Sequence, residues 1–179
     1  SHELNQPGTY QDVTDTTVTA QFKAVENDVF KSSPFGESHK GAGDVYFLAW
    51  TTTPWTLPSN TALTVGNKID YVLIRTFNQY TFEPIKVVIA KALVAKQFGK
   101  KYFAAKDEAA FESYSENDKK IPYEILAECK GSELVGLRYE QLIDYVQPHD
   151  NPENAFRIIA GDFVTTEDGT GIVHTAPTF

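Results

Sequence analysis

Short β-rich runs separated by turn residues occupy most of this 179-residue chain. The runs 18–25, 45–50, 71–77, 86–90 and 123–129 are rich in β-branched and aromatic residues. The second of these runs is continuously apolar, and at that length it fits a buried strand better than a helix. Helical patterns are few and do not alternate regularly with the strands, so the sequence predicts an α+β domain built on a strongly curved or closed sheet.

Two short helices are expected between these strands. Residues 91–98 combine good helix formers with apolar positions at helical spacing, and Gly99 follows where a C-terminal cap belongs. Residues 107–114 form the second predicted helix, with Asp107 as its N-terminal cap.

A loop and a hairpin complete the predicted elements. Residues 32–43 are rich in Gly, Ser and Pro, which is typical of a loop. Residues 162–166 and 172–176 are β-rich and flank Asp168-Gly169, a dipeptide that favours the positive φ angles of tight turns. The sequence therefore predicts a β-hairpin over 162–176.

The composition is that of one folded domain without internal disulfides. Hydrophobic residues make up 41% of the chain and Cys129 is its single cysteine. We expect residues 1–179 to form a single domain in a reducing compartment, with Cys129 in a structural role. The pair Ser1-His2, typical of a cloning remnant, and the end at Phe179 within an ordered pattern are expected of a domain excised from a larger protein.

The common catalytic and binding motifs are missing from the sequence. It has no phosphate-binding loop, no dinucleotide fingerprint and no nucleophile elbow. Its four histidines, at positions 2, 39, 149 and 174, lack metal-ligand spacing, so no metal site is expected. The net charge of −8 argues against a domain that grips nucleic acid through many phosphates.

The segment 50–60, Trp-Thr-Thr-Thr-Pro-Trp-Thr-Leu-Pro-Ser-Asn, is unusual in its residues. One interpretation is a strand edge followed by a loop that Pro54 and Pro58 stiffen. The other is a rigid rim of hydroxyls at the mouth of a pocket, with Trp55 as a wall. Such a rim can orient an ester and a water without a strong base. The residues alone leave both interpretations open.

Two motifs resemble those of the editing domain of class I aminoacyl-tRNA synthetases, in its isoleucyl version. Residues 50–60 are similar to the threonine-rich peptide of that family. Residues 169–177, Gly-Thr-Gly-Ile-Val-His-Thr-Ala-Pro, are similar to its second editing motif. Thr53 precedes Pro54, where the valyl and leucyl domains carry arginine, and residues 134–142 are a weaker third match.

The resemblance implies a fold and a function. The fold is the class I editing-domain fold, with a β-barrel-like core, inserted into a synthetase that itself uses ATP and Mg²⁺; no cofactor is expected in this domain. The function is hydrolysis of mischarged Val-tRNA(Ile) by an oriented water, and the share of valyl-adenylate in this editing stays open. The synthetic pocket of such an enzyme rejects valine only weakly, a limit for which this enzyme family is itself the standard example. A second site, which excludes isoleucine by size, would therefore remove the valine that the first site accepts.

The resemblance also implies which residues act on the ester. The catalytic residues are Thr51, Thr52, Thr53 and Asn60, with Thr52 and Thr53 in contact with substrate or water. Because an aminoacyl ester is already activated, positioning by hydroxyls can suffice without a catalytic triad. The Asn60 amide is expected to hold either the loop or the terminal adenosine.

The amino-acid pocket is expected to be formed by Trp55, Thr56, His174 and Thr175. A lone histidine on an apolar strand is most often a packed structural residue, whereas the resemblance makes His174 the steric gate that rejects the extra methylene of isoleucine. The family's aspartate that captures the α-amino group would lie beyond Phe179. We therefore expect the isolated chain to hydrolyse Val-tRNA weakly or not at all.

The expected partners are the 3′ end of tRNA(Ile) carrying valine, valyl-adenylate and the rest of the parent synthetase. No membrane partner is expected, the expected location is cytoplasmic, and the isolated chain is expected to be a monomer. Two other interpretations stay open: a valyl-type, leucyl-type or free-standing trans-editing deacylase, and a non-catalytic β-barrel interaction module.

The acidic charge predicts weak binding of tRNA by the isolated chain in a filter-binding titration. The parent enzyme would hold the body of the tRNA, and this domain would receive only the 3′ end. The lysine pairs 100–101 and 119–120 are expected to be solvated surface charge. Sub-micromolar affinity at physiological salt would contradict this prediction.

Overall fold

The structure, a computed structural model, describes residues 18–37, 43–52, 54–140, 156–167 and 169–175. The strands within these ranges are β1 Val18–Lys23, β2 Val45–Thr51, β3 Ala62–Val65, β4 Asp70–Phe77, β5 Pro84–Ala90, β6 Tyr102–Ala104, β7 Ile121–Lys130, β8 Arg157–Ala160 and β9 Ile172–Thr175. The α-helices are α1 Asp28–Ser32, α2 Pro34–Glu37, α3 Val94–Gln97 and α4 Ala109–Glu112, and 3₁₀ helices cover Pro54–Ser59, Lys91–Leu93 and Gly131–Glu133. Strands with a few short helices are the α+β architecture that the sequence predicts.

Strand β2 is the point at which the sheet divides. Along one edge it pairs antiparallel with the whole of β1. Along the other edge, Val45–Phe47 pairs parallel with β5, while Trp50 pairs parallel with Val173 of β9. The described strands follow the order β6-β7-β4-β5-β2-β9-β3-β8, and β1 lies beside β2. One branch of the sheet therefore runs from β5 to β6, and the other runs from β9 to β8.

The second branch closes into a ring. β9 pairs antiparallel with β3, and β3 pairs parallel with β8. Residues 137–140 then join β8 back to β1. Ile158 N donates to the Leu137 carbonyl at 2.9 Å, and Val25 N donates to the Arg138 carbonyl at 2.9 Å. This bridge confirms the predicted β-barrel-like core.

The interior of the barrel is apolar. Phe22 of β1, Phe47 of β2, Leu63 of β3 and Ile172 of β9 have no exposed surface and belong to one cluster. Burying each such side chain stabilises the fold by about 1.5–3 kcal/mol. Because alternate residues of a strand share a face, the inward position of Ile172 also places His174 on the inside of the barrel.

A second apolar cluster covers the other face of β4 and β5. Val72 and Ile74 of β4 and Val87 and Ile89 of β5 pack with Val94 of α3. Strands that are buried on both faces have nearly continuous apolar sequences, which makes them easy to locate. All five predicted strand runs are confirmed, with ends that differ by one or two residues.

Cys129 of β7 lies inside the sheet. Its side chain is buried, and it is paired in register with Tyr71 of β4. Burial raises the pKa of the Cys129 thiol to about 12, so the thiol stays protonated and unreactive. The expectation of a structural cysteine is confirmed.

The predicted loop over 32–43 is wrong in its first half, where the structure has the end of α1 and the whole of α2. The Asn27 side chain caps α1 by accepting from Phe30 N at 3.0 Å. Pro34 takes the first position of α2, where a proline lacks only an N–H that would be unpaired anyway. Residues 38–42 lie outside the described part of the chain.

The two predicted helices are present and shorter than expected. Residues 91–98 start as a 3₁₀ turn and continue as α3. Asp107 is not the cap of the second helix: α4 begins at Ala109, and Glu108 before it makes no side-chain capping bond. The Glu108 carboxylate instead accepts two hydrogen bonds from the Arg75 guanidinium, at 2.8 and 2.6 Å. No helix in the described ranges has the length and apolar character to cross a membrane.

The predicted hairpin over 162–176 is also wrong. β8 ends before this range, and β9 pairs with β3, which separates it from β8. Gly169 and Gly171 do have positive φ angles, of 76° and 79°, but they serve the turn that leads into β9. The pairing of β9 with β3 is favoured over a local hairpin because it places Leu63 and His174 side by side inside the barrel.

Tyr71 of β4 ties this turn to the sheet. Its buried hydroxyl donates to the Gly171 carbonyl at 2.5 Å and accepts from Gly66 N at 2.9 Å. Burial raises the pKa of Tyr71 to about 12, so the hydroxyl keeps its proton. At the end of β5, Ala90 N donates to the Thr170 carbonyl at 2.8 Å and holds the same turn.

The substitution Tyr71→Phe is expected to lower the free energy of unfolding by about 2–4 kcal/mol, because it leaves a buried N–H and a buried C=O without a partner. Denaturant unfolding followed by circular dichroism measures this change. The matched control is Tyr102→Phe, since no described residue offers the Tyr102 hydroxyl a hydrogen bond; its effect should stay within about 0.5 kcal/mol. Equal losses in the two variants would contradict the role given to Tyr71.

Candidate functional site

The threonine-rich segment connects β2 to β3. β2 ends at Thr51, the 3₁₀ helix Pro54–Ser59 follows, and β3 begins at Ala62. Asn60 N donates to the carbonyl of the buried Leu57 at 3.0 Å and closes the last turn of this helix. The segment is therefore a strand end followed by helical turns, which brings Asn60 back against the barrel.

Asn60 lies buried at the centre of a hydrogen-bonded group. Its Nδ2 atom lies 3.0 Å from the Ala62 carbonyl oxygen, 2.7 Å from His174 Nδ1 and 3.5 Å from the Thr175 carbonyl oxygen. Its Oδ1 atom accepts a short hydrogen bond from the Tyr139 hydroxyl. Both ends of the amide are therefore engaged within the domain.

His174 is held through both of its ring nitrogens. Thr56 Oγ1 lies 2.9 Å from Nε2, and Asn60 Nδ2 lies against Nδ1. The histidine pairs in register with Leu63 of β3, and only 7% of its surface is exposed. β9 therefore fixes the backbone of His174, while two side chains from the β2–β3 connection fix its ring.

The His174 ring is neutral at physiological pH. Burial lowers the pKa of His174 from its ordinary 6.5, and a main-chain hydrogen bond with Thr56 acts in the opposite direction. The side chains that contact the ring, an amide and a hydroxyl, carry no charge. A neutral, fixed ring is suited to the wall of a pocket for an apolar side chain.

Thr51 lies beside His174 in the barrel wall. Trp50 pairs with Val173, and Thr51 and His174 each follow by one position on parallel strands. Both residues are buried, as expected of neighbours on the inner face. The structure thus places the first threonine of the motif level with the histidine.

The other predicted site residues differ in exposure. Thr52 is exposed, and Trp55 is 71% exposed. Thr175 is half-buried, and its hydroxyl is hydrogen-bonded to that of Thr64 at 2.9 Å. Thr53 lies outside the described residues. The predicted residues that the structure brings into one hydrogen-bonded group are Thr56, Asn60, His174 and Thr175.

Tyr139 is the member of this group that the sequence did not reveal. Its ring is 2% exposed and lies edge-on to Phe22 and Phe156, with centroids 5.2 and 6.0 Å away. Burial raises the pKa of Tyr139 well above its ordinary value, so its hydroxyl acts as a donor. The weak third match over 134–142 includes Tyr139 and is the signal that pointed to this region.

Glycine is required where the chain turns into β9. Gly169 and Gly171 have positive φ angles, which residues with a Cβ rarely adopt. A Cβ on Gly169 would lie 2.7 Å from the Trp50 side chain, and one on Gly171 would lie 2.5 Å from Ala90 Cβ. The Gly-Thr-Gly start of the second motif therefore allows the turn before β9 to pack tightly against β2 and β5.

The chemistry available to this group of residues is positioning. Its amide and hydroxyls are hydrogen-bond donors and acceptors without charge, and both nitrogens of the neutral His174 ring are occupied. Within the ranges that the structure describes, no three His, Cys, Asp or Glu side chains come together as metal ligands. Groups of this kind can orient a polar substrate.

The sequence is similar to isoleucine–tRNA ligases over its whole length. No protein-family model matches it. It is 59% identical to the isoleucine–tRNA ligase of Cytophaga hutchinsonii, 58% identical to that of Bacteroides fragilis and 38% identical to that of Clostridium tetani. This chain belongs to the isoleucine–tRNA ligase family. It spans 14% of the length of the first two relatives and 13% of the third.

Two solved structures of leucyl-tRNA synthetase domains are similar to this chain in fold. The editing domain of the P. knowlesi cytosolic leucyl-tRNA synthetase matches 93% of this chain and 57% of its own, with a TM-score of 0.57 and 17% identity. The structure of GlLeuRS-CP1 matches 89% of this chain and 52% of its own, with a TM-score of 0.55 and 16% identity. These matches confirm the predicted editing-domain fold.

The buried His174 predicts a pH dependence of stability. Its pKa is lower in the folded than in the unfolded chain, so the unfolded chain binds the proton more readily. The stabilisation is complete above about pH 6.5 and is lost as the pH falls toward the folded-state pKa. Thermal unfolding between about pH 8 and pH 5.5 should show this loss.

The control for this measurement is His174→Asn, which cannot titrate and keeps an acceptor near the Asn60 amide. Its stability should fall less steeply than that of wild type over the same pH interval. If the two profiles run parallel, His174 is not protected from protonation in the fold.

Proposed function

We propose that this domain hydrolyses valine wrongly attached to isoleucine tRNA. The observation that carries the proposal is the neutral His174 ring, fixed between Thr56 and Asn60 on the inner face of the barrel. It occurs in a chain that is 59% identical to an isoleucine–tRNA ligase and has the editing-domain fold. The family supplies the class of substrate, and the ring supplies a means of selection.

Selection by size follows from how the ring is held. Hydrogen bonds at opposite sides of His174 oppose its rotation, so the ring cannot swing aside for a longer side chain. Isoleucine carries one methylene more than valine, and admitting it would break a contact to Thr56 or Asn60 or overlap packed atoms. Trp55 and the main chain at Thr175 complete the proposed pocket, which accepts valine and excludes isoleucine. The Thr175 side chain lies on the opposite face of β9 from His174, where its hydroxyl is hydrogen-bonded to Thr64.

Hydrolysis itself would depend on positioning. Thr51 is buried at the end of β2, and Thr52, which follows it, is exposed, so the two threonines lie at different depths of the rim. Together with Thr53, they would orient a water and the ester carbonyl, with Asn60 holding the histidine wall in place. Because the ester is already activated, this arrangement needs no strong base.

The partners follow from the same proposal. The 3′ end of tRNA(Ile) carrying valine would enter the site, with valyl-adenylate as a second substrate. The rest of the parent synthetase would hold the tRNA body, in keeping with a domain charge of −8. ATP and Mg²⁺ would serve the synthetic reaction of the parent enzyme, with no cofactor in this domain, and the site of action would be the cytoplasm.

The experiment that tests the proposal is deacylation by the complete synthetase, or by this chain extended past Phe179. With tRNA(Ile) charged with valine, threonine or isoleucine, we expect valine to be released much faster than isoleucine. Preferential release of threonine would favour a valyl-type deacylase. Absence of release of any of the three would favour an interaction module.

The substitution His174→Ala removes the proposed wall. In the complete synthetase we expect deacylation of correctly charged Ile-tRNA to rise about tenfold or more, the scale on which one methylene is discriminated. Tyr102→Phe, which changes an aromatic residue away from the site, should leave Ile-tRNA intact. If His174→Ala spares Ile-tRNA as wild type does, the gate assignment is wrong.

A further inference from the structure

We propose that Tyr139 is a positioning residue for His174 and acts through the carboxamide of Asn60. The inference rests on the editing function proposed above and specifies how the pocket wall is kept in place. Tyr139 fixes the amide, the amide fixes the histidine tautomer, and Tyr139 itself touches no substrate.

The orientation of the Asn60 amide is set by two main-chain carbonyls. Nδ2 lies 3.0 Å from the Ala62 oxygen and 3.5 Å from the Thr175 oxygen. A carbonyl only accepts hydrogen bonds, so an Asn60 oxygen in this position would face two acceptors. The amide nitrogen therefore points toward the β3–β9 pair, and the amide oxygen points away from it.

This orientation decides which nitrogen of His174 carries the proton. Nδ1 lies 2.7 Å from the Asn60 Nδ2 donor and must accept. A neutral imidazole has one N–H, which is then on Nε2 and donates to Thr56, whose Oγ1 lies 2.9 Å away. Burial lowers the pKa of His174 and so opposes uptake of a second proton.

Tyr139 completes the arrangement at the far end of the amide. Its hydroxyl donates to Asn60 Oδ1, and its ring is held by Phe22 and Phe156 inside the barrel. Without that hydroxyl, Oδ1 becomes a buried acceptor lacking a donor, a state that the amide relieves by rotating or by admitting a water. Either movement disturbs the contact between Asn60 and His174.

The arrangement has a consequence for the chemistry of His174. Nδ1 accepts from Asn60, and Nε2 donates to Thr56, so neither nitrogen has a free lone pair for an attacking water. His174 therefore acts as a neutral wall and not as a general base. Its role in size selection depends on Tyr139, which lies on the segment that closes the barrel.

The test is ¹⁵N NMR of His174 in the 179-residue chain at about pH 8, above the ordinary histidine pKa. Couplings between ring protons and nitrogens identify the protonated nitrogen. Wild type should show one tautomer, with the proton on Nε2. Tyr139→Phe should double or broaden the His174 signals. A wild-type proton on Nδ1 would overturn the proposal whatever the variants show.

Two further variants control this experiment. Asn60→Asp replaces the amide nitrogen with an acceptor at the same position, so the proton should move to His174 Nδ1. Thr76→Val removes another buried hydroxyl bond, from Thr76 of β4 to the Pro122 carbonyl of β7 at 2.9 Å, and should leave the His174 signals single. Unchanged signals in Tyr139→Phe, or equal changes in Thr76→Val, would show that Tyr139 only packs in the core.

A second readout uses the complete synthetase. Tyr139→Phe should lower the ratio of valine to isoleucine deacylation by about tenfold, the scale of one lost hydrogen bond to a buried acceptor. The NMR measurement needs no substrate, so its result decides the role of Tyr139 even if the domain does not edit. If the His174 signals change as expected and the deacylation ratio does not, the selection role proposed for His174 is wrong.

Discussion

The pairing of β3 with β9 is the constraint on which the site depends. It joins residues 62–65 to residues 172–175, more than a hundred positions further along the chain, and thereby brings the two motifs together. The same pair presents the Ala62 and Thr175 carbonyls to the Asn60 amide and places His174 beside Leu63 in the barrel. Ordering this contact costs the entropy of a long loop, which the buried barrel interior offsets.

Rigidity in this region comes from contacts on all sides of β9. Tyr71 of β4 and Ala90 of β5 hold the turn before it, and two glycines allow that turn to approach closely. Tyr139 holds the amide from the segment that closes the barrel. The size selection proposed for this site requires a rigid wall, and close packing combined with satisfied hydrogen bonds provides one.

The sequence alone predicted the secondary structure correctly where one local pattern determines it. The runs 71–77 and 86–90 are apolar on both faces, so they could be identified as strands without knowing their partners. The hairpin over 162–176 failed because an Asp-Gly turn signal is local, whereas the partner of β9 is chosen by burial across the barrel. The sequence does not predict α2, because proline in a Gly- and Ser-rich run indicates a loop, although proline is well tolerated at a helix start.

The candidate site was likewise predictable from the sequence only in part. His174 and Asn60 were found through their resemblance to family motifs, since neither residue has a local signature of its role. Tyr139 could not be assigned because its function depends on a single hydroxyl that reaches a residue distant in sequence. The contact between Asn60 and His174 could not be predicted from the sequence, because it depends on the helical turns after β2, which bring the Asn60 amide back against β9.

The most direct measurement is the binding of a valyl-adenosine analogue, with an amide in place of the ester, to this chain extended past Phe179. The isoleucyl analogue serves as its counterpart. The account predicts that the valyl analogue shifts the NMR signals of His174 and Thr56. It also predicts that the isoleucyl analogue binds with an affinity lower by about tenfold or more. Equal affinities, or binding that leaves the His174 signals unchanged, would contradict it.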